Sequence, residues 1–211
     1  MTNHNKLYIQ ELYMGNKSLP VIDMMEKYAQ EHHIPIMEKD GIELLKQLIR
    51  LHQPKQILEV GTAIGYSAIQ MALTLPNLHI TSIEKDENRY NEAIKNVDEA
   101  GLSQRIKLVL ADASDYLEEL DESYDFVFID AAKGQYQRYF EQIHPCLVTG
   151  GLMVIDNVLF KGYVSKEVQD KDRLVKLGEK INRFNKWLIQ HQEYDTTILE
   201  TGDGVALALK R

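Results

Sequence analysis

Two short apolar segments of the chain each end in side chains that carry oxygen ligands. Phe-Val-Phe-Ile leads directly into Asp130, and Leu-Met-Val-Ile leads into Asp156 and Asn157. Each apolar run is typical of a buried strand, and the carboxyl ends of neighbouring parallel strands form the crevice where ligands bind. Two carboxylates and an amide oxygen suit Mg²⁺ better than zinc, which prefers thiolate and imidazole. We therefore predict a magnesium site here.

Lys133 lies three residues beyond Asp130, close enough to act beside such an ion. The alternative is that Asp130 and Asp156 only cap the helices that follow their strands, as Asp often does. Both carboxylates directly follow an apolar strand pattern, and Asn157 adds a third oxygen ligand. This combination favours a metal site over two separate helix caps.

A third segment indicates a nucleoside site. A strand pattern ends at Gly61, and a second glycine, Gly65, opens the next helix, where a residue without a Cβ permits a tight turn or a close approach of ligand. Ala63 stands where a dinucleotide motif has its middle glycine, which weakens a pyrophosphate site. Glu84 ends the second strand, where an acid commonly binds ribose hydroxyls. Asp112 ends the third strand and could reach an exocyclic amine or, alternatively, cap a helix.

Length and composition restrict the class of protein. The chain has 211 residues, which fits one domain over residues 1–211, and a net charge of −8, which argues against indiscriminate binding of polyanions such as DNA. Its single cysteine, Cys146, fits a reducing compartment and is expected to be buried and inert. The polar N-terminus has no signal-peptide core, and no apolar run could span a membrane, so we expect a cytoplasmic protein without a membrane partner.

The order of predicted elements indicates an α/β fold. Residues 1–50 show helical spacing only, and residues 56–211 form the α/β core, in which strands and helices alternate as in a parallel sheet with right-handed crossovers. At the end, residues 194–199 and 205–209 are strand-like and flank a Gly-Asp-Gly turn, which predicts an antiparallel hairpin. We expect a seven-stranded, mostly parallel, Rossmann-like sheet with a C-terminal hairpin and a helical N-terminal extension.

Taken together, the motifs resemble those of the class I, cation-dependent O-methyltransferases, which use S-adenosylmethionine (SAM) and include catechol and caffeoyl-CoA O-methyltransferases. The resemblance runs from about residue 35 to the C-terminus. It rests on four segments in family order: Glu59-x-Gly-x-x-x-Gly-Tyr-Ser67, Ile83-Glu84, Asp130-x-x-Lys133 and Asp156-Asn157. Among these enzymes the chain looks most like the bacterial methyltransferases that convert tRNA 5-hydroxyuridine to 5-methoxyuridine at the anticodon wobble position.

The resemblance assigns roles to individual residues. It implies that SAM is contacted by Met37, Gly61, Ser67, Glu84, Asp112, Ala113 and Asp130. It also implies that Mg²⁺ is held by Asp130, Asp156 and Asn157, and that Lys133 is the catalytic base, with Asp130 as the second catalytic residue. The family often has Trp or another aromatic residue after Asp-Asn; here Phe160 and Tyr163 occupy that loop, which leaves the acceptor open. A homodimer is also implied.

Charge distribution bears on the acceptor. Between Lys161 and Lys186 there are eight basic and four acidic residues, a net charge of +4, although the whole chain is acidic. If this segment is a helix, four cations form one stripe beside an apolar stripe. We call these four the basic stripe: Arg173, Lys176, Lys180 and Arg183. It is interpreted either as a solvated helix face or as a surface that binds tRNA phosphates while a flipped-out base enters the pocket.

Other functions remain open from the residues alone. The same metal chemistry could act on a small catechol-like phenol, because a catechol and 5-hydroxyuridine both offer two adjacent oxygens. A non-catalytic nucleoside-binding protein or an NAD-dependent oxidoreductase is a further alternative. Neither of these needs a metal site and a lysine at adjacent strand ends, so the set of Asp130, Asp156, Asn157 and Lys133 disfavours both.

Overall fold

The computed structural model describes residues 3–14, 19–168 and 170–211. The strands are β1 Gln56–Val60, β2 His79–Glu84, β3 Ile106–Leu110, β4 Tyr124–Ile129, β5 Leu147–Asp156, β6 Tyr194–Leu199 and β7 Val205–Lys210. The helices are α1 Asn3–Met14, α2 Pro20–Glu31, α3 Lys39–His52, α4 Tyr66–Ala72, α5 Glu87–Glu99, α6 Ala113–Glu118, α7 Tyr136–Ile143 and α8 Asp172–Ile189. Short 3-10 turns cover Lys133–Gln135 and Phe160–Gly162.

The strands form one seven-stranded sheet in the order β3-β2-β1-β4-β5-β7-β6. The pairs among β1 to β5 are parallel, whereas β7 runs antiparallel to both β5 and β6. The predicted mostly parallel sheet with a terminal antiparallel hairpin is therefore confirmed, as is the helical start. β5 is longer than predicted, since it begins at Leu147 rather than Leu152.

Two hydrophobic layers cover the two faces of the sheet. Because successive strand residues point to opposite faces, Phe126 and Phe128 of β4 join the layer that contains α2, α3 and α4. Their neighbours Val127 and Ile129 join the layer that contains α7 and α8. A central strand that is apolar on both faces is what a sheet covered by helices requires. Because helices cover both faces of the sheet, ligands can reach it only at the ends of the strands.

Helix α8 has the two faces that its sequence predicts. Ile181, Phe184 and Leu188 are buried against the sheet, and the four cations of the basic stripe are exposed. The spacing of three and four residues places each set on one side of the helix. Within the described ranges, no helix is long and apolar enough to cross a membrane.

The turn after β1 brings three strand ends together. Gly61 has φ +105°, and a Cβ built on it would lie 2.1 Å from the carbonyl oxygen of Asp130. Its amide N–H donates to the carbonyl of Ile83 at 3.0 Å. Only glycine allows this approach, so the ends of β1, β2 and β4 meet at one edge, where the predicted site residues are located.

Candidate active site

A cavity of about 560 Å³ opens at the carboxyl ends of the parallel strands. It brings together most of the residues that the sequence singles out. Those that line it are Met37, Gly61, Glu84, Ala113, Asp130, Lys133, Asp156 and Asn157. Ser67 and Asp112 are not among the lining residues, and what they do instead is described below. The roles of all ten residues remain predictions; what the structure provides is their placement.

The acidic end of the cavity is formed by the two Asp residues and Asn157. Burial raises the pKa of Asp130, with the nearby Lys133 opposing this effect. Burial raises the pKa of Asp156 to about 7, and the charge of Asp130 adds to the increase, whereas hydrogen bonds from Asn157 lower it. The backbone N–H of Asn157 donates to Asp156 Oδ1 at 2.7 Å. The pKa of Asp156 is thus raised both by its burial and by repulsion between the two carboxylates.

Lys133 connects this acidic end to the rest of the site. Its Nζ donates a hydrogen bond to Oδ1 of Asn157 and lies 5.8 Å from the centre of the Phe160 ring. Asn157 has φ +61°, a left-handed conformation that Asn tolerates better than most residues. This backbone conformation follows directly after β5, where the amide side chain contacts Lys133.

The donor set fits a hard divalent cation. Carboxylate and amide oxygens are the ligands that Mg²⁺ takes, with water completing its shell, and the raised pKa values of both Asp residues indicate a site that a positive charge would stabilise. No group of three or more His, Cys, Asp or Glu side chains is arranged to hold a metal in the part of the chain that the structure describes. The site has only two carboxylates, and its third oxygen comes from an amide.

Glu84 organises the turn that faces the cavity on its other side. One carboxylate oxygen accepts the N–H of Ala63 at 2.8 Å, and the other accepts the N–H groups of Lys85 and Asp86 at 3.0 and 2.9 Å. The side chain is largely buried yet lines the cavity. It is therefore fixed in place by three backbone donors while remaining available to a ligand.

Ser67 acts on a buried carboxyl rather than on the cavity. Its hydroxyl donates to Glu59 Oε1 at 2.5 Å, and Ser82 donates to the other oxygen of Glu59. Thr62 and Ser82 share a further hydrogen bond of 2.5 Å. Burial raises the pKa of Glu59 to about 7. This chain of hydrogen bonds ties β1, β2 and the start of α4 together beneath the glycine turn.

Asp112 caps a helix, which was the alternative to its predicted contact with an exocyclic amine. Its carboxylate accepts the N–H of Ser114 at 2.9 Å, which makes it the N-cap of α6. Its neighbours Ala111 and Ala113 line the cavity, although Asp112 itself does not. A direct contact of Asp112 with SAM remains a prediction of the resemblance alone.

Sequence reasoning missed several lining residues. Arg89, Tyr139, Lys161 and the segment Thr201–Asp203 also face the cavity. The Gly-Asp-Gly turn was interpreted only as a hairpin signal, yet the N–H groups of Leu159 and Phe160 donate to the carbonyl of Asp203 at 2.8 and 3.1 Å. No local pattern marks these residues, because they reach the site from separate elements.

The segment after β5 is also held by α8. Asn185 donates from Nδ2 to the carbonyl of Val158 at 2.8 Å. A Cβ on Gly178 would lie 2.7 Å from the carbonyl oxygen of Tyr163, so this glycine allows the helix and the loop to pack in direct contact. Of the two aromatic residues in the loop after Asp156-Asn157, Phe160 lines the cavity, whereas Tyr163 donates a hydrogen bond to Asp170.

Comparison with known proteins assigns the chain to a family. A model of the O-methyltransferase family matches residues 15–211. The chain belongs to the O-methyltransferase family. This O-methyltransferase is 37% identical over 175 residues to a catechol O-methyltransferase of Niastella koreensis, covering 78% of the chain and 77% of that relative. It is 32% identical over 190 residues to a caffeoyl-CoA O-methyltransferase of Populus kitakamiensis, covering 86% and 80% respectively.

Solved structures agree with this assignment. A Staphylococcus aureus protein assigned as a caffeoyl-CoA O-methyltransferase superposes with a TM-score of 0.92 at 34% identity, covering 99% of this chain and 100% of that chain. The O-methyltransferase TomG of Streptomyces achromogenes, solved with SAM, superposes with a TM-score of 0.83 at 26% identity, covering 100% and 99%. The protein is thus a SAM-dependent O-methyltransferase with the Rossmann-like fold predicted from its sequence.

Proposed function

We propose that this O-methyltransferase uses Mg²⁺ to transfer the methyl group of SAM to a hydroxyl that has a second oxygen beside it. The observation that carries the proposal is the shared cavity: two carboxylates, an amide oxygen and a lysine line the same cavity as Gly61 and Glu84. One end suits a cation with a chelating acceptor, and the other suits a nucleoside. Mg²⁺, when bound, would stabilise the ionised form of the acceptor oxygen.

The chain's own residues supply the arrangement. Asp130, Asp156 and Asn157 would hold the cation, and Glu84 would hold the ribose of SAM. Lys133 is placed to accept or relay the acceptor proton, provided that its amine is neutral when the proton leaves. The remaining rate acceleration would come from positioning of the two substrates, since methyl transfer requires in-line attack at a defined distance and angle.

The relatives favour a small phenolic acceptor. Two relatives, 37% and 32% identical to this chain, carry the names catechol O-methyltransferase and caffeoyl-CoA O-methyltransferase. A catechol offers two adjacent oxygens, and the cavity of about 560 Å³ is of the size that binds small molecules. We therefore propose a catechol-type phenol as the acceptor that the relatives support best.

A second candidate acceptor is 5-hydroxyuridine at the wobble position of a tRNA anticodon, which would be converted to 5-methoxyuridine. Its 5-hydroxyl and neighbouring C4 carbonyl present the same pair of oxygens. The observation in its favour is the basic stripe of α8, whose four cations are all exposed on a protein of net charge −8. A small phenol would leave these cations without a role, whereas RNA would supply phosphates for them to bind.

Three broader expectations also stay proposals. A homodimer is implied by the resemblance, and the exposed apolar side chains Tyr8, Leu12 and Leu51 are compatible with a partner on the helical N-terminal side. A single domain over residues 1–211 and a cytoplasmic location follow from the sequence arguments.

The metal mechanism is tested with Asp156→Asn, using Asp98→Asn as a matched control. Asp98 is an exposed acid on α5 and does not line the cavity. We expect Asp156→Asn to lose methyl transfer to catechol while it still binds SAM in calorimetry, and the control to keep both. Methyl transfer that persists after exhaustive chelation would rule out the cation.

The acceptor is identified by analysing nucleosides in tRNA from a strain that lacks the gene. Loss of 5-methoxyuridine, with 5-hydroxyuridine accumulating in its place, would assign the RNA reaction. Unchanged tRNA, together with robust turnover of catechols by the purified enzyme, would assign the small phenol.

A further inference from the structure

A second, smaller cavity adjoins the first. Its volume is about 220 Å³, and the two cavities share Lys133. The other residues that line it come from the turn after β4, from α7 and from α8: Gly134, Tyr136, Gln137, Lys180, Arg183 and Phe184. Three of the seven lining residues are cations, and none is a carboxylate. It is therefore a basic cavity next to the acidic end of the proposed active site.

Only half of the basic stripe contributes to this cavity. Lys180 and Arg183 line it, whereas Arg173 and Lys176 do not, although all four lie on one side of α8. The turn that carries Lys133 packs on the same helix, because a Cβ on Gly134 would meet Cδ1 of Leu177 at 3.6 Å. Because this turn packs on α8, two of the four cations of the basic stripe line the same cavity as Lys133.

These two cations are not neutralised by the fold. Across the described ranges, no ion pair or hydrogen bond involves the side chain of Lys180 or Arg183. Other exposed cations of this acidic chain do have acidic partners, such as Lys107 with Glu122. Arginine presents a planar fork that matches phosphate oxygens, and lysine adds a point charge. Gln137 adds a neutral donor to the same wall.

We propose that Lys180 and Arg183 form a subsite, beside Lys133, for a phosphate group carried by the acceptor. This inference rests on the proposed function, because it assumes that the acceptor's hydroxyl enters the larger cavity through the side where Lys133 stands. It deepens that function by naming the class of acceptor as a phosphate ester. Because Lys133 lines both cavities, a phosphate bound in the smaller one would help to orient the acceptor in the larger one.

Two sources of phosphate fit this chemistry. One is the phosphodiester beside a 5-hydroxyuridine in RNA, and the other is the phosphate of a coenzyme A thioester. Each has a counterpart without phosphate, namely free 5-hydroxyuridine and caffeic acid. Comparing the members of each pair measures what the phosphate contributes and identifies its source.

The test compares Lys180→Gln/Arg183→Gln with the matched control Arg173→Gln/Lys176→Gln. Both remove two charges from the same stripe of α8, but only the first alters the smaller cavity. The acceptors are an anticodon stem-loop RNA containing 5-hydroxyuridine against the nucleoside, and caffeoyl-CoA against caffeic acid. We expect the ratio of kcat/KM, phosphate-bearing over phosphate-free, to fall by about tenfold or more in the first variant for one pair, through KM. In the control it should fall much less.

The pair that responds identifies the source of the phosphate. Equal effects of the two double variants would overturn the proposal, because they would show a diffuse field rather than a subsite. An unchanged ratio for both pairs would also overturn it. Binding of the same stem-loop RNA, followed over a salt series without SAM, tests the RNA source independently of turnover. A flatter salt dependence in the first variant only would support the subsite, even if no acceptor were methylated and the proposed function failed.

Discussion

The hydroxyl of Tyr136 donates a hydrogen bond of 2.7 Å to the backbone carbonyl of Asp156. Tyr136 is buried at the start of α7, and Asp156 is the last residue of β5. Burial raises the pKa of Tyr136 well above its usual value, and the charges of Asp130 and Asp156 act in the same direction. The hydroxyl therefore stays protonated and fixes the strand end from which Asp156 and Asn157 extend.

Replacing Tyr136 by Phe should loosen this strand end. The carbonyl of Asp156 would lose its partner in a buried setting, so we expect the free energy of unfolding to fall by about 1–3 kcal/mol. The Mg²⁺ concentration needed for half-maximal methyl transfer should rise as well. Urea unfolding and a Mg²⁺ titration measure the two effects.

Tyr194→Phe is the control for this change. Tyr194 is also buried, and its hydroxyl pairs with His144 at 3.1 Å at the opposite end of the sheet. It should lower stability without altering the dependence on Mg²⁺. An identical Mg²⁺ dependence in Tyr136→Phe and wild type would contradict a positioning role for Tyr136.

Glu84→Gln should weaken SAM binding. The substitution keeps the size of the side chain but removes the charge proposed to hold the ribose hydroxyls, so the expected loss is about 1.5–3 kcal/mol, measured by calorimetry. Asp86→Asn is a suitable control, because Asp86 is also an acid that accepts a backbone N–H, that of Arg89 at 3.0 Å, but does not line the cavity. Equal affinities of Glu84→Gln and wild type would remove Glu84 from the ribose site.

The raised pKa of Glu59 should make the stability of the fold depend on pH. Burial raises its pKa from 4.5 to about 7 in the folded protein, so the folded state holds a proton that the unfolded state releases at lower pH. Wild-type stability should therefore be higher at low pH and fall as pH rises from about 4.5 towards 7, with no further loss from this group above that range. The neutral variant Glu59→Gln lacks this contribution.

The measurement is urea unfolding of both proteins, with a chelator present, at about pH 5 and about pH 8. Wild type should lose about 2 kcal/mol more than Glu59→Gln over this interval. Because the other carboxyls are common to both proteins, the difference isolates Glu59. Parallel pH profiles would show that Glu59 is ionised throughout.

Gly61→Ala should disrupt the site more than an ordinary loss of glycine. Its Cβ would collide with the carbonyl of Asp130 in addition to the strain of φ +105°. Gly101→Ala is the matched control, since Gly101 has φ +69° but nothing lies within 4 Å of its Cβ position. We expect Gly101→Ala to cost about 1–2 kcal/mol and to retain SAM binding. Gly61→Ala should cost clearly more and lose SAM binding; comparable behaviour of the two variants would contradict the close approach.

The sequence alone determined the strands, the mostly parallel sheet and its terminal hairpin, and it placed the candidate metal ligands at strand ends. Strand and helix periodicity is local, so the patterns around Gln56–Val60 and Ile106–Leu110 predicted those strands with the bounds that the structure has. Ligands bind at the carboxyl ends of parallel strands, so the positions of Asp130, Asp156 and Asn157 after two strand patterns predicted that they lie together. All three line one cavity. Such inferences succeed because they depend on neighbours in the chain and on a general property of parallel sheets.

Only the tertiary structure decided how individual side chains are used. Ser67 and Asp112 lie next to residues of the cavity along the chain, yet one pairs with Glu59 and the other caps α6. The four cations of the basic stripe are equivalent by helical spacing, but the packing of the turn after β4 on α8 places only Lys180 and Arg183 beside Lys133. Periodicity gives the face of a helix on which a side chain lies, whereas its partner depends on which distant segment packs there.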